Sequence, residues 1–517
     1  MRKINPTAIE KMRKSLDAPL NKGNAEGDLN KSGITQSLGL NAYDLRAPAL
    51  EHIPFLTPVR DMLPRTARNA PGIALNWKVL TGIVGSGVQN IALVPEGQRS
   101  ATKNILTRDA NAKYVTQGEE GFTTDEAKLG SQGFMDVEAR DRVLTMESLW
   151  LKEESTLLGG NRNLRLGTPS ALTTSAAADA NSTVPAGTYY VCAVALTFEG
   201  MGNSTAVGGL IQSVTINGND RKTYTVNGGS SNRSPISGAQ AVSTGQALIG
   251  YVPNVQGAMG YAWYVGTTGA PNAMFLQAIT TVNYLKLESF VTGTRQTADY
   301  VTADCSYNDG TQTGANAVSS FDGLSTTALI PGNNAYFYSM PCTAAGGPTS
   351  LTPDGAGGIV EIKNMFKTMW NNYRCGVDML MMSANTADSI YTKILNNSSA
   401  PLLRINKDDN SGAIELSAGG TIQAYFSPIG NPYGGMKASI MVHPNLPDGT
   451  ILGWATTLPS WYRNNETPVV AEVLTRREYY SEDFARTTRG TEYGVYVDEC
   501  LAVYAPFAMG VITNIAV

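Results

Sequence analysis

The stretch Ser131–Gly160, SQGFMDVEARDRVLTMESLWLKEESTLLGG, has the apolar periodicity of one long amphipathic helix. Asp136 and Glu138 each precede an arginine by four residues, a pattern that supports an exposed helical face. The pair Gly159-Gly160 is expected to end the helix in a positive-φ conformation. The predicted buried stripe consists of residues three or seven apart, namely Phe134, Val137, Leu144, Leu151 and Leu158.

A different kind of sequence begins within ten residues of this helix. Only 12 of the 151 residues in 168–318 are charged, against 16% of the whole chain. The segments AGTYYVCAVALTFEGMGNST and VQGAMGYAWYVGTTG resemble immunoglobulin-like or fibronectin type III modules. We therefore predict an all-β sandwich inserted into a host domain. Its strand candidates are Thr188–Thr197, Gly209–Ile216, Thr223–Val226, Gln246–Val252, Tyr261–Val265 and Ala273–Thr281.

Before the helix, the sequence predicts a long β excursion over residues 70–118. Pro71–Val79 alternates apolar and polar residues at period two, which is typical of a half-buried strand. Further strands are predicted at Asn90–Val94 and Ala112–Thr116, with glycines between them. The acidic residues after it are expected in a solvated turn or in a salt-bridging patch towards another molecule; they are Glu119, Glu120, Asp125 and Glu126.

After residue 318 the sequence predicts a mixture of helices and strands. A helix with one apolar face should precede Gly376, and a second should cover Asn385–Asn396. Lys407–Gly412 is predicted to be a hairpin turn rather than a calcium loop. The strand candidates are Val377–Met382, Ile414–Leu416, Thr421–Ser427, Ala438–Val442, Thr450–Thr456, Val469–Tyr480 and Gly494–Tyr504. The fold class is therefore α+β.

Composition excludes several functional classes. The net charge of −4 argues against a nucleic-acid binder held by bulk positive charge. The five cysteines are scattered and never in CxxC spacing, which predicts reduced buried thiols. Neither a signal-peptide apolar region nor an 18-residue apolar run occurs, so we expect synthesis in the cytosol and no membrane partner.

Recognised catalytic motifs are missing from the sequence. The chain has two histidines, and it has no HExxH, Walker loop, Gly-x-Ser-x-Gly elbow or dinucleotide-binding GxGxxG. His443, before Pro444, is interpreted as a structural hydrogen-bonding residue. We expect no enzyme activity, no cofactor and no metal site.

In this order of segments the chain resembles the major capsid proteins of tailed bacteriophages, which have the Hong Kong 97 capsid fold. The similar pieces are LVPEG at 93–97, LLGGN at 157–161, FDGL at 321–324 and the C-terminal YGVYVDECLAVYAPFAMGVITNIAV. The resemblance implies an N-terminal arm (1–69), an extended β loop (70–118), and a spine helix with part of a peripheral domain (119–167). The sandwich (168–318), an axial domain (319–460) and C-terminal strands that complete the peripheral domain (461–517) would follow.

The resemblance implies a subunit that self-assembles into hexamers and pentamers of an icosahedral virion shell around packaged double-stranded DNA, bound without sequence specificity. Assembly would take place in the host bacterial cytoplasm. A portal and a separate scaffolding protein are expected partners, and 168–318 would lie on the outer surface, where it could bind cell-surface glycans. The expected subunit contacts are Trp77, Val79, Val94, Glu96, Arg99, Glu119 and Glu120.

Two further expectations concern individual residues. Some members of the family join a lysine of the β loop to an asparagine of another subunit, and Lys103 and Lys113 are candidates for that role. The helix stripe should pack against the C-terminal strands, so a charge at Leu144 or Leu151 should block folding or assembly. A charge at Thr197 should have a mild effect.

Other functions remain open at this point. An encapsulin-like shell would share the fold and hold a protein cargo instead of DNA. A carbohydrate-binding or adhesive surface protein built around the sandwich belongs to a different class, and a hydrolase with a binding module is a third alternative.

Overall fold

The structure is a computed structural model. It describes residues 52–68, 71–84, 93–100, 102–311, 316–355, 358–396, 403–407, 414–418, 424–431, 434–462 and 469–517. Most of the predicted arm 1–69, most of the predicted strand Asn90–Val94 and the predicted turn after Lys407 lie outside these ranges.

The described residues form seven α-helices and 26 strands. The helices are α1 (Pro58–Met62), α2 (Asp125–Gly130), α3 (Val137–Gly159), α4 (Phe198–Asn203), α5 (Leu324–Leu329), α6 (Val360–Tyr373) and α7 (Ala384–Asn396). Strands before residue 168 are β1 (Arg65–Ala67), β2 (Ala74–Val84), β3 (Asn104–Lys113) and β4 (Val115–Thr124). Those of 168–318 are β5 (Thr173–Ala178), β6 (Gly187–Leu196), β7 (Ser213–Asn217), β8 (Thr223–Asn227), β9 (Ser230–Arg233), β10 (Gln240–Val242), β11 (Gln246–Tyr251), β12 (Gly260–Gly266), β13 (Met274–Thr280) and β14 (Tyr284–Leu287). The remaining strands are β15 (Tyr336–Ser339), β16 (Cys342–Thr343), β17 (Gly347–Pro348), β18 (Met379–Met382), β19 (Leu403–Lys407), β20 (Ile414–Ala418), β21 (Ala424–Asn431), β22 (Gly434–Val442), β23 (Ile451–Trp454), β24 (Ala471–Asp483), β25 (Gly490–Val503) and β26 (Met509–Thr513).

Helix α3 is real, but its start and its buried face differ from the prediction. It begins at Val137, where the Asp136 carboxylate accepts the N–H of Ala139 at 3.1 Å and caps the first turn. Leu151 is 36% exposed, so it does not form a buried stripe with Leu158. The buried face carries Thr145, Leu149, Glu153, Glu154, Leu157 and Leu158. The apolar-spacing rule failed because two carboxylates occupy part of the buried surface.

Helix α3 lies against a four-stranded sheet of order β1-β24-β25-β4, in which only β1 runs parallel to its neighbour. Thr145 Oγ1 lies 3.2 Å from the Tyr493 hydroxyl of β25. Leu157 and Leu158 share an apolar core with Val473 and Leu501. The helix therefore packs on the C-terminal strands as predicted, through different side chains. The predicted strand Ala112–Thr116 covers the end of β3 and the start of β4, which meet at Tyr114.

A six-stranded sheet of order β15-β26-β23-β18-β22-β21 forms the centre of residues 324–515. Helix α6 covers it with Ile362 and Phe366, which pack on Leu380 of β18. Arg374 ends α6 in a left-handed conformation with φ of 52°. Helices α6 and α7 and strands β18 and β20–β25 confirm the predicted elements, with ends that shift by a few residues.

In 168–318, β7 and β8 form a two-stranded sheet of their own, and the other strands form two sheets around one core. One sheet has order β10-β6-β12-β13 with β9 beside β6, and the other has order β14-β11-β5. Val191 and Trp263 of the first sheet pack with Leu248 and Leu285 of the second. Thr197 is buried, donates to Gly229 O at 3.0 Å and caps α4, so the expectation that a charge there is mild is wrong.

The end of α3 and the start of α5 lie next to each other, although residues 160–323 separate them in sequence. Gly323 N–H donates to Gly160 O at 2.8 Å. A Cβ on Gly323 would lie 2.7 Å from Gly159 N, so glycine is needed for this close approach. Gly160 has a φ of −51°, which contradicts the predicted positive-φ stop. The glycines of LLGG are explained by the close packing of the backbone at the end of α3 against the backbone of residues 321–323.

Candidate functional site

The β2–β3 hairpin is largely exposed to solvent over its described residues. Its antiparallel register runs from Ala74 opposite Lys113 to Val84 opposite Asn104, with an irregularity between Leu80 and Gly82. Within the described residues, β2 and β3 form a sheet of their own and pair with no other strand. Ten-residue strands at about 3.4 Å per residue give the hairpin a reach of roughly 35 Å.

The hairpin exposes apolar side chains that a monomer would normally bury. Leu80 is 72% exposed and Leu93, beyond the end of β2, is 89% exposed. Val94, Ile105 and Leu106 are exposed as well. A two-stranded hairpin is marginally stable in water by itself, and clustered apolar exposure marks interaction surfaces.

The root of the hairpin is fixed to the body by contacts that include one aromatic pair and the side chain of Arg108. Trp77 packs edge-on against Tyr504, with ring centroids 5.4 Å apart. Arg108 donates to Gly332 O at 3.0 Å and to Asn333 Oδ1 at 2.9 Å. The expected contact residues Trp77 and Val79 therefore face the body of their own chain and are only part-buried there.

The loop at 93–100 carries three more of the expected contact residues. Val94, Glu96 and Arg99 are exposed, as is Lys103 after the loop. Gln98 N–H donates to Pro95 O at 3.1 Å and forms a tight turn. These residues are accessible for contact with another molecule. Lys113 lies at the opposite, body end of β3.

Glu119 and Glu120 lie in β4, paired with β25, and not in the predicted solvated turn. Lys152 Nζ of α3 lies 2.6 Å from Glu119, and the Tyr496 hydroxyl donates to Glu120 at 2.6 Å. Asn219, between β7 and β8, also donates to Glu120 at 2.7 Å. In this structure both carboxylates bind groups of their own chain.

A buried ionic cluster on α3 was not predicted from the sequence. Glu154 accepts the backbone N–H groups of Val59 at 2.9 Å and Arg60 at 2.7 Å, near the start of α1. His443 Nε2 lies 2.7 Å from Glu154 Oε1, and both side chains are fully buried. Since His443 Nδ1 accepts the N–H of Asn445, the ring proton lies on Nε2 and is donated to Glu154. This confirms the structural role expected for His443.

The adjacent Glu153 is bound by Arg60, at 3.1 Å, and also by Arg65 and the Tyr479 hydroxyl. Arg65 bridges to Glu499 of β25 at 3.2 Å. Burial raises the pKa of Glu499, although Arg65 opposes that shift. The cluster joins the segment 57–68, helix α3, β24, β25 and the end of β22. The one sequence signal for it was the charged pair Glu153-Glu154 on the face opposite to that of Lys152.

Two acidic groups meet where region 168–318 joins the rest of the chain. Burial, together with the nearby Asp322 carboxylate, raises the pKa of Glu199 to about 8. Burial raises the pKa of Asp322 too, against hydrogen bonds from the N–H groups of Arg162 and Asn163. We therefore expect the stability of this junction to depend on pH.

The remaining chemistry of the described residues is sparse. All five cysteines are free, and burial raises the pKa of Cys192, Cys375 and Cys500 to about 12. Four of the five are buried, as predicted, and Cys305 is partly exposed. Among the described residues, no group of three or more metal-ligating side chains occurs. Within the same ranges, none of the helices combines the length and apolarity needed to span a bilayer.

Comparison with known proteins gives structural neighbours only. No family model and no curated protein matches the sequence. The capsid of a native GTA particle matches at 8% identity and a TM-score of 0.40, over 92% of this chain and 96% of that one. The capsid of Myoviridae phage XM1 matches at 8% and 0.38, over 94% and 100%. The holo-SrpI encapsulin complex from Synechococcus elongatus PCC 7942 matches at 9% and 0.35, over 91% and 92%. Since these TM-scores are all below 0.5, the function is argued below from this chain's own geometry.

Proposed function

We propose that this chain is the major capsid protein of a tailed bacteriophage and has the Hong Kong 97 capsid fold. Its copies would form the hexamers and pentamers of an icosahedral shell around double-stranded DNA. The observation that carries the proposal is the β2–β3 hairpin, which exposes apolar side chains and pairs with no other described strand. Such a surface is stabilised when it lies on a second copy of the chain.

The order of elements along the chain supports the same function. An extended hairpin precedes a 23-residue helix, and that helix lies on a sheet made from β1, β4 and the C-terminal strands. A six-stranded sheet with its own helices follows. We propose that these elements are, in turn, the β loop, the spine helix with part of the peripheral domain, and the axial domain, with the C-terminal strands completing the peripheral domain.

The role is structural and not catalytic, and the partners follow from it. We propose that a portal and a separate scaffolding protein take part in assembly, and that packaged DNA is contacted without sequence specificity. Region 168–318 would be a sandwich of the immunoglobulin-like type on the outer surface, where it braces neighbours or binds glycans. Deleting 168–318 and imaging the particles tests bracing, which is wrong if the shells keep normal stability.

The decisive experiment compares two exposed apolar residues. Leu80→Asp places a charge on the hairpin, and Val207→Asp places one in region 168–318, where Val207 is 81% exposed. We expect both variants to fold, and only Leu80→Asp to stop assembly of the expressed chain into shells, measured by sedimentation and electron microscopy. The wild-type chain should form capsomers or shells.

A persistent wild-type monomer would contradict the proposal. If the two variants assembled equally well, the hairpin would not be part of the interface between copies. Particles from infected cells that contain a protein cargo and no DNA would favour the encapsulin-like alternative instead.

A further inference from the structure

A polar cavity of about 300 Å³ lies at the root of the β2–β3 hairpin. It is bounded by β3, by the segment that follows α3, by α5 and by β25. Its lining includes the side chains of Trp77, Arg108, Lys113 and Arg162, and the acidic Asp109 and Asp322. We call it the hairpin-root cavity.

Its two acidic groups are already bound by other groups. Asp322 Oδ1 accepts backbone N–H groups of Arg162 at 2.8 Å and Asn163 at 3.0 Å. Burial raises the pKa of Asp322. Asp109 is 80% exposed at its side chain and lies 3.6 Å from the Lys78 amine on the facing strand.

The cationic and donor groups of the cavity can still form further hydrogen bonds. Lys113 is part-buried, yet its amine has no acidic partner within 4 Å among the described residues. The indole N–H of Trp77 is buried and has no hydrogen-bond acceptor in the part of the chain that the structure describes. Arg162 uses one guanidinium nitrogen, which donates to the Ser319 hydroxyl. A buried donor without an acceptor is costly, and buried polar groups are normally paired.

We propose that the hairpin-root cavity binds an oxyanion, the phosphate or carboxylate group of a ligand, through Lys113, Arg162 and the indole N–H of Trp77. An oxyanion offers several acceptor oxygens, and charge-assisted bonds from lysine and arginine are the strong class of hydrogen bond. The cavity admits a group as large as phosphate. Bound there, the anion joins both strands of the hairpin to the segment after α3.

The test is a titration of the unassembled full-length chain with inorganic phosphate, against potassium chloride at matched ionic strength, followed by calorimetry. We expect saturable binding of phosphate. Lys113→Met should weaken it about tenfold, as expected for the loss of one charge-assisted hydrogen bond. Lys103→Met is the matched control, because Lys103 is exposed and does not line the cavity, and its affinity should equal that of the wild type.

Trp77→Phe supplies a second variant that keeps the ring packing and removes the donor. Phosphate should change the tryptophan fluorescence of the wild type, and this change should be lost in Trp77→Phe while thermal unfolding stays close to that of the wild type. Equal phosphate affinities of Lys113→Met and Lys103→Met, or no saturable binding by the wild type, would overturn the site.

The source of the oxyanion is assigned by light scattering during assembly. If phosphate slows assembly of the wild type relative to chloride, a carboxylate of a second copy occupies the cavity. If phosphate binds and assembly is unchanged, the natural ligand is a free anion. Binding is measured before assembly, so its result stands apart from the proposed function.

Discussion

The β2–β3 hairpin and the ionic cluster of α3 differ in which side chains they bury: the hairpin exposes apolar groups, and the cluster buries charged ones. In the cluster, Glu153 and Glu154 are buried charges that find their partners within the same chain. The hairpin instead leaves Leu80 and Leu93 in solvent, where apolar groups are least stable. The comparison separates a region that completes the fold of a single copy from one whose exposed apolar surface suits the proposed contact with a second copy.

The largest effect is expected inside α3 itself. Leu157→Asp places an unpaired charge in the main core and should destabilise the unassembled chain by about 4 kcal/mol or more. Leu151→Asp alters a partly exposed position and should change the free energy of unfolding by roughly 0.5 kcal/mol or less. Denaturant unfolding of both variants measures this, and equal losses would show that the buried face is misassigned.

Removal of one buried acid should have the next largest effect. Glu154→Ala leaves His443 and the N–H groups of Val59 and Arg60 without their acceptor, at a cost of about 3–5 kcal/mol. Glu147→Ala, on the same helix and outside the cluster, is the control and should be nearly neutral. A loss below about 1 kcal/mol in denaturant unfolding would mean that the cluster does not hold segment 57–68 on α3.

The third prediction concerns pH at the junction of region 168–318. Because the folded pKa of Glu199, about 8, lies above the ordinary glutamate value of 4.5, the folded chain binds the proton more tightly than the unfolded chain. Stability from this group is therefore complete below about pH 4.5 and is lost as pH rises towards 8. After allowance for its partial exposure, the loss is on the order of 1–2 kcal/mol.

Glu199→Gln should flatten that part of the profile of thermal stability against pH. Glu96→Gln changes an exposed acid on the hairpin loop and should leave the profile as in the wild type. An unchanged slope in Glu199→Gln would contradict the shifted pKa.

The smallest effect on stability is expected at the hairpin root. Arg108→Gln removes the donors to Gly332 and Asn333, so amide hydrogen exchange in β2 and β3 should become several-fold faster. The global free energy of unfolding should change by less than about 1 kcal/mol, since the lost bonds are exposed. Arg99→Gln, in the exposed loop, should leave the exchange unchanged. Slower or equal exchange in Arg108→Gln would show that the root does not depend on this arginine.

The sequence was most informative where periodicity and burial coincide. Helices α6 and α7 and strands such as β12 carry regular apolar patterns, and their residues could be assigned from that signal alone. The buried face of α3 could not, because Glu153 and Glu154 are polar in sequence and their arginine, tyrosine and histidine partners come from distant segments. For the same reason Glu119 and Glu120 were predicted in a turn, since a strand of charged residues is explained only by its pairing with β25.

The contact between Gly160 and Gly323 holds the two ends of the intervening segment close together. The segment between these two glycines leaves the end of α3 and returns to the start of α5 at nearly the same place. The segment is not independent of the rest of the chain, however, because its Phe198 and Met259 fill part of the main core beside Leu158. A foreign domain grafted between the two glycines therefore needs closely spaced ends and apolar side chains that cover the end of α3. Its size is otherwise free to vary.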